Sequence, residues 1–122
     1  MALKGKKKGI GLSFAWNGIV EALKQERNFQ IHIAATVLVV AAGIVLHLSM
    51  LEWITIILVI GLVLVTELIN SAIEMLIDYI KPEIHPQAKV IKDIAAGAVL
   101  VTAAVAVIVG ILIFIPKLFH LF

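Results

Sequence analysis

Trp53 to Asp78 reads WITIILVIGLVLVTELINSAIEMLID, and this stretch decides the fold. From Trp53 to Thr66 it carries no Asp, Glu, Lys or Arg. That run is too short to span a bilayer as a helix, which takes about 20 residues. It becomes long enough only if Glu67, Asn70 and Glu74 also lie at membrane depth. On a helix Glu67, Glu74 and Asp78 project within about 40° of one another, with Asn70 as a neighbour. At about 1.5 Å per residue, Glu67 lies roughly 20 Å inward from Trp53, an aromatic anchor for the opposite interface. An acid at that depth costs several kcal/mol unless it is paired, solvated or bound to a metal.

The rest of the chain fits the same frame. Of its 122 residues, 62% are hydrophobic and 15% charged. Soluble domains are usually about 45–50% apolar and about 25% charged. So short a chain cannot hide that excess from water. A soluble monomer, a disordered chain and a disulfide scaffold are excluded, the last because there is no cysteine. Charge is also absent from Asn28 to Leu51 and from Ile94 to Pro116. We therefore expect an all-α integral membrane protein: one domain over 1–122, with membrane-spanning helices at about 30–47, 52–80 and 90–115.

The cations give the orientation. Lys4, Lys6, Lys7, Lys8, Lys24 and Arg27 precede the first span, and Lys81, Lys89 and Lys92 lie between the second and third. The positive-inside rule puts the N-terminus and the 81–92 loop in the cytoplasm and the C-terminus outside. No apolar run follows the Lys cluster, so it is not the start of a signal peptide. It reads as a topology signal and anionic-lipid anchor, not a nucleic-acid tail. The protein is thus expected in a membrane, among its lipids and without a nucleic-acid partner.

Residues 12–29 read as an amphipathic surface helix, with Leu12, Trp16, Ile19 and Leu23 on one face. Glu21 points to water. Glu26 falls within about 60° of the apolar stripe's centre. Either the helix ends before Glu26 or this carboxylate is aimed at protein; we take the second. His32 and His47, near the ends of the first span, read as polar termini. Ala34, Ala35, Ala41, Ala42 and Gly43, then Ala95 to Ala98, are small residues that let helices approach closely. Two of the three prolines fall in Lys81 to Gln87, which reads as a loop.

Spacing and depth suggest chemistry. Three acids on one face repel unless a cation sits among them. Glu67, the deeper acid, suits a general base. Glu74 lies about 10 Å nearer the cytoplasm, where Mg²⁺ and a nucleotide can reach it. Mg²⁺ prefers one or two carboxylates plus phosphate oxygens. Lys92 and Asp93 lie at a similar depth on the third span, and a Lys there neutralises phosphate charge. No GxxxxGK[ST] or GxGxxG motif is present.

Five pieces together resemble the prokaryotic diacylglycerol kinase family of small three-helix membrane lipid kinases. They are Ala15-Trp16-Asn17-Gly18, Glu26-Arg-Asn-Phe29, Glu67-Leu-Ile-Asn-Ser-Ala-Ile-Glu74, His85, and Lys92-Asp93-Ile-Ala-Ala-Gly-Ala98. Their mutual spacings agree with the family without a gap from Trp16 to Asp93. The resemblance implies a homotrimer with sites at subunit interfaces, transferring the γ-phosphoryl group of MgATP to a lipid primary hydroxyl. It implies Glu67 as catalytic base and lipid contact, with Trp16 and Ala96 beside the lipid. Glu26 and Glu74 would hold the nucleotide's metal. Phe14, Asn70, Glu83, His85, Lys92 and Asp93 would join those two acids around ATP.

Two positions depart from the family's Gram-negative branch. Phe14 replaces a Tyr that contacts ATP, so that hydrogen bond is lost. Lys7 replaces an Arg, which loses bidentate geometry. Glu26-Arg-Asn-Phe-Gln30 with His32, Glu52-Trp53 and Leu-Ile-Phe-Ile-Pro116-Lys-Leu118 look like the Gram-positive branch. That branch favours undecaprenol, the polyprenyl carrier of cell-wall synthesis, so undecaprenol is the expected acceptor and diacylglycerol the alternative. Two readings from other classes compete. A pore-forming, holin-like protein explains composition and topology but not the converging acids. A small exporter with Glu67 as proton relay does not require Lys92-Asp93 or the surface helix.

Overall fold

The computed structural model describes residues 11–80 and 85–122. The Lys4–Lys8 cluster, Lys81 and Glu83 lie outside the described residues. Among the described residues four helices follow one another: α1 (Leu12–Gln25), α2 (Arg27–Val45), α3 (Met50–Ile80) and α4 (Pro86–Leu121). The last three are each long and apolar enough to cross a membrane. At about 1.5 Å per residue α3 and α4 exceed the roughly 30 Å hydrocarbon layer, so their ends project beyond it.

The elements differ from the sequence reading by four residues or more at three boundaries, and by two or three at both ends of α2 and the start of α3. The surface helix stops at Gln25 rather than 29, because Glu26 adopts an extended conformation (φ −102°, ψ 110°). The alternative we did not take, that the helix ends before Glu26, is the one the structure adopts. The break is held by Gln30, whose Nε2 donates to the Leu23 carbonyl at 2.8 Å, and by Phe29, only 2% exposed. The third span begins at Pro86 rather than about 90. Proline suits the first helical position because its missing N–H would be unpaired there anyway. His85 caps that end, its Nδ1 accepting from the Gln87 N–H at 3.1 Å. The same helix runs past Pro116 to Leu121. Membrane helices tolerate such a proline, and Lys117, one residue on, ties this end to α3 through Glu52 at 3.0 Å.

The turn between α2 and α3 needs only Leu46 to Ser49. The Leu48 N–H bonds the Gly43 carbonyl at 3.2 Å and the His47 N–H the Ile44 carbonyl at 3.3 Å. This is the pattern of a helix ended by a left-handed residue, here His47 at φ 57°. Gly43 makes the turn possible, since a Cβ on it would lie 2.7 Å from Trp53 Cη2. Ser49 and Glu52 then form a reciprocal cap on α3: Ser49 N–H to Glu52 Oε1 at 2.8 Å, and Glu52 N–H to Ser49 Oγ at 3.2 Å.

α3 is the centre of the molecule. α4 packs along it, α2 packs on its other flank, and α1 touches α2 and α3. Thr66 and Thr102 place their hydroxyls 3.0 Å apart across the α3–α4 seam. The apolar residues Leu12, Trp16, Ile19 and Leu23 of α1 stay exposed on the single chain. α1 instead turns Ala22 inward.

Candidate active site

The buried stripe of α3 is Ile56, Val63, Glu67, Asn70 and Ser71. It begins as apolar core and changes to polar groups halfway along the helix. Glu67 is 1% exposed and Asn70 4%. Glu67 Oε1, Asn70 Oδ1 and Ser71 Oγ are buried without a hydrogen-bond partner among the described residues. Buried polar atoms are nearly always paired, so three orphans side by side mark a place prepared for something else.

The neighbouring helices bring charge to this stripe. Glu74, one turn beyond Asn70, and Glu26, at the α1–α2 break, both act electrostatically on Glu67. His32 on α2 sets its Nε2 3.8 Å from Glu67 Oε1. At the outer edge, Lys92 of α4 donates to Asp78 Oδ1 at 2.8 Å, with Glu74 within electrostatic reach. The structure thus brings Glu26, Glu67, Asn70 and Glu74 together, with Lys92 beside them.

The other expected residues stand apart. Asp93 is exposed and held by Lys89 at 2.6 Å. His85 is exposed and spends its Nδ1 on capping α4. Phe14, Trp16 and Ala96 are exposed on the single chain. Glu83 lies outside the described residues. Two groups at the site carried no such expectation. His32 faces Glu67 instead of ending a span, and Asp78 clasps Lys92. Asp78 shares the stripe's spacing, but its partner across the α3–α4 hairpin leaves no sequence periodicity.

Two apolar grooves reach the stripe. One of about 500 Å³ runs between α1 and α3, past Gly18 and Ala22 to Glu26 and Ser71. The other, of about 490 Å³, lies on α3 between α2 and α4, lined by His32, Val39, Val63, Ala103 and Ala106. Among the described residues no three Asp, Glu, His or Cys side chains gather closely enough to hold a metal by themselves. The all-oxygen set of Glu26, Glu74 and the unpartnered Asn70 Oδ1 still fits a hard cation that takes its remaining ligands from phosphate.

The prokaryotic diacylglycerol kinase family model aligns with residues 13–114. The chain belongs to this family. An undecaprenol kinase from Bacillus subtilis (strain 168) is 49% identical over 104 residues, 85% of each chain. A diacylglycerol kinase from Synechocystis sp. is 39% identical over 113 residues, 92% of this chain and 65% of that one. The diacylglycerol kinase of Escherichia coli (strain K12) is 33% identical over 95 residues, 78% of each. Family membership accords with the all-helical architecture and the three apolar helices.

Proposed function

We propose that this chain is an ATP-dependent lipid kinase that phosphorylates the primary hydroxyl of undecaprenol, giving undecaprenyl phosphate. One observation carries the reading: Glu67, buried at mid-helix with an unpartnered oxygen, among Glu26, Asn70 and Glu74. The undecaprenol kinase at 49% identity supports the acceptor. Diacylglycerol is the second reading, favoured by the names of the other relatives.

In this reading Glu67 accepts the hydroxyl proton as the lipid oxygen attacks phosphorus in line. The lipid lies beside α1, with Trp16 and Ala96 against it. Asn70 orients the reacting groups. Lys92, steadied by Asp78, neutralises charge on the phosphoryl oxygens. Phe14, Glu83, His85 and Asp93 complete the nucleotide's surroundings. Glu26 and Glu74 hold Mg²⁺, which supplies charge neutralisation to the phosphates. Holding both reactants in register supplies much of the rate. The exposure of Phe14, Trp16 and Asp93 on one chain supports sites completed across a homotrimer. The N-terminus and site face the cytoplasm and the C-terminus lies outside, as the cations imply.

Transfer of labelled γ-phosphate in detergent micelles, with undecaprenol and diacylglycerol side by side, tests the reading. Product from undecaprenol in excess supports it, and product mainly from diacylglycerol moves the acceptor to the second reading. No transfer to either alcohol ends the kinase reading in favour of a pore or exporter.

A further inference from the structure

His32 has no task in the site described above. It sits on the second turn of α2, where Phe29 is buried and Gln30 is bonded back to Leu23, so its direction is fixed by its own neighbours. Its side chain is largely covered, and its Nε2 lies 3.8 Å from Glu67 Oε1. That is too long for a hydrogen bond, and the oxygen has no other partner. The groups acting on Glu67 from each packed element are Glu26 at the α1–α2 break, His32 on α2, and Glu74 and Ser71 on α3. Two are acids and one is a hydroxyl. His32 is the one base among them.

An ordinary interfacial histidine would turn to headgroups or water. This one lines the α2–α4 groove and faces the buried carboxylate of Glu67. A carboxylate repelled by two neighbouring acids has no fixed direction unless a cation or donor holds it.

We propose that His32 is a positioning residue for Glu67: its Nε2 steers one carboxylate oxygen so that the other meets the lipid hydroxyl. The proposal rests on the lipid-kinase reading. The reaction is unchanged by it. The lipid O–H bond breaks, its proton passes to Glu67, an O–P bond forms, and the bond from Pγ to the departing ADP oxygen breaks. His32 neither takes that proton nor touches phosphate.

The test uses the full chain in micelles with MgATP and the lipid alcohol. His32→Ala is expected to lower kcat tenfold to about a hundredfold, the cost of a reacting group displaced by about 1 Å. KM for MgATP should stay within about twofold, because the polar contact His32 makes is with Glu67, the residue assigned to the lipid hydroxyl, and not with those assigned to the nucleotide. His32→Gln, which restores a donor of similar reach, should recover severalfold. Adding His32→Ala to Glu67→Gln should cost nothing further, since residues acting as one unit are not additive. A second readout needs no turnover: the His32 imidazole ¹⁵N signals should shift between wild type and Glu67→Gln. Unmoved signals, or a His32→Ala variant with wild-type kcat, overturn the role of His32 while leaving the kinase reading intact. A wild type that phosphorylates no lipid alcohol overturns both.

Discussion

Glu67→Gln separates a catalytic acid from a structural polar seam, because the two readings predict opposite pairs of effects. The amide keeps the size and shape of the side chain and removes its capacity to accept a proton. A positioned general base contributes about 10²- to 10⁴-fold. At about 1.4 kcal/mol per factor of ten this is a barrier increase of roughly 3–5 kcal/mol. Stability should move the other way or not at all. Glu67 is 1% exposed, its Oε1 has no partner, and the acids Glu26 and Glu74 act on it. Removing the buried charge relieves like-charge repulsion and the cost of burying an ion, while the amide is no better partnered than the carboxylate it replaces. The lost attraction to His32 at 3.8 Å offsets part of that gain. The expected outcome is a variant that assembles normally, melts at or above the wild-type midpoint, and transfers phosphate at least a hundredfold more slowly. Labelled-phosphate transfer, size exclusion and thermal denaturation followed by circular dichroism read all three. Near-normal transfer refutes the assignment of Glu67 as base. Lost activity with a lower midpoint and a broken assembly refutes it too, in favour of the seam.

Three further outcomes follow from local geometry. Asp78→Asn frees Lys92, whose Nζ is 2.8 Å from Asp78 Oδ1. The pair is partly exposed, so stability should change by under about 1 kcal/mol, while KM for MgATP rises severalfold; an unchanged KM would detach Lys92 from Asp78. Gly43→Ala forces a methyl to 2.7 Å from Trp53 Cη2 and 3.0 Å from Leu48 Cδ1. Overpacking of this kind costs about 1–3 kcal/mol, and Trp53→Leu in the same chain should recover most of the lost melting temperature. Ser49→Ala removes the oxygen that accepts from the Glu52 N–H at 3.2 Å. The loss of this cap should lower stability by about 1 kcal/mol without altering transfer, checked by the same melts.

The spans were legible because charge is scarce: three charge-free runs and one acid stripe leave little choice of architecture. The boundaries were less so. Nothing in Lys24 to Asn28 breaks a helix by composition, with neither Gly nor Pro there. The break at Glu26 is set by contacts several residues away, Gln30 on Leu23 and the buried Phe29. His85-Pro86 was readable as a cap followed by a first-position proline, but two prolines close together argued for a loop. Pro116 marked an end that the structure does not honour, because Lys117 reaches Glu52 from the other helix.

The same division runs through the site. Glu67, Asn70 and Glu74 lie on one helix, so their convergence follows from 100° per residue alone. The angle assigned to Glu26 does not survive, because the helix that gave it ends one residue before Glu26. His32 and Asp78 depend on which helix lies beside α3, and such pairings leave no periodic trace. The arrangement also explains why the acids can be so close. His32 answers Glu67 on one flank and Lys92 answers Asp78 and Glu74 on the other. Among the described residues Glu26 and Glu74 form no ion pair, and Asn70 Oδ1 has no partner. On the proposed function, the acids that His32 and Lys92 do not balance are the ones left for the cation of MgATP.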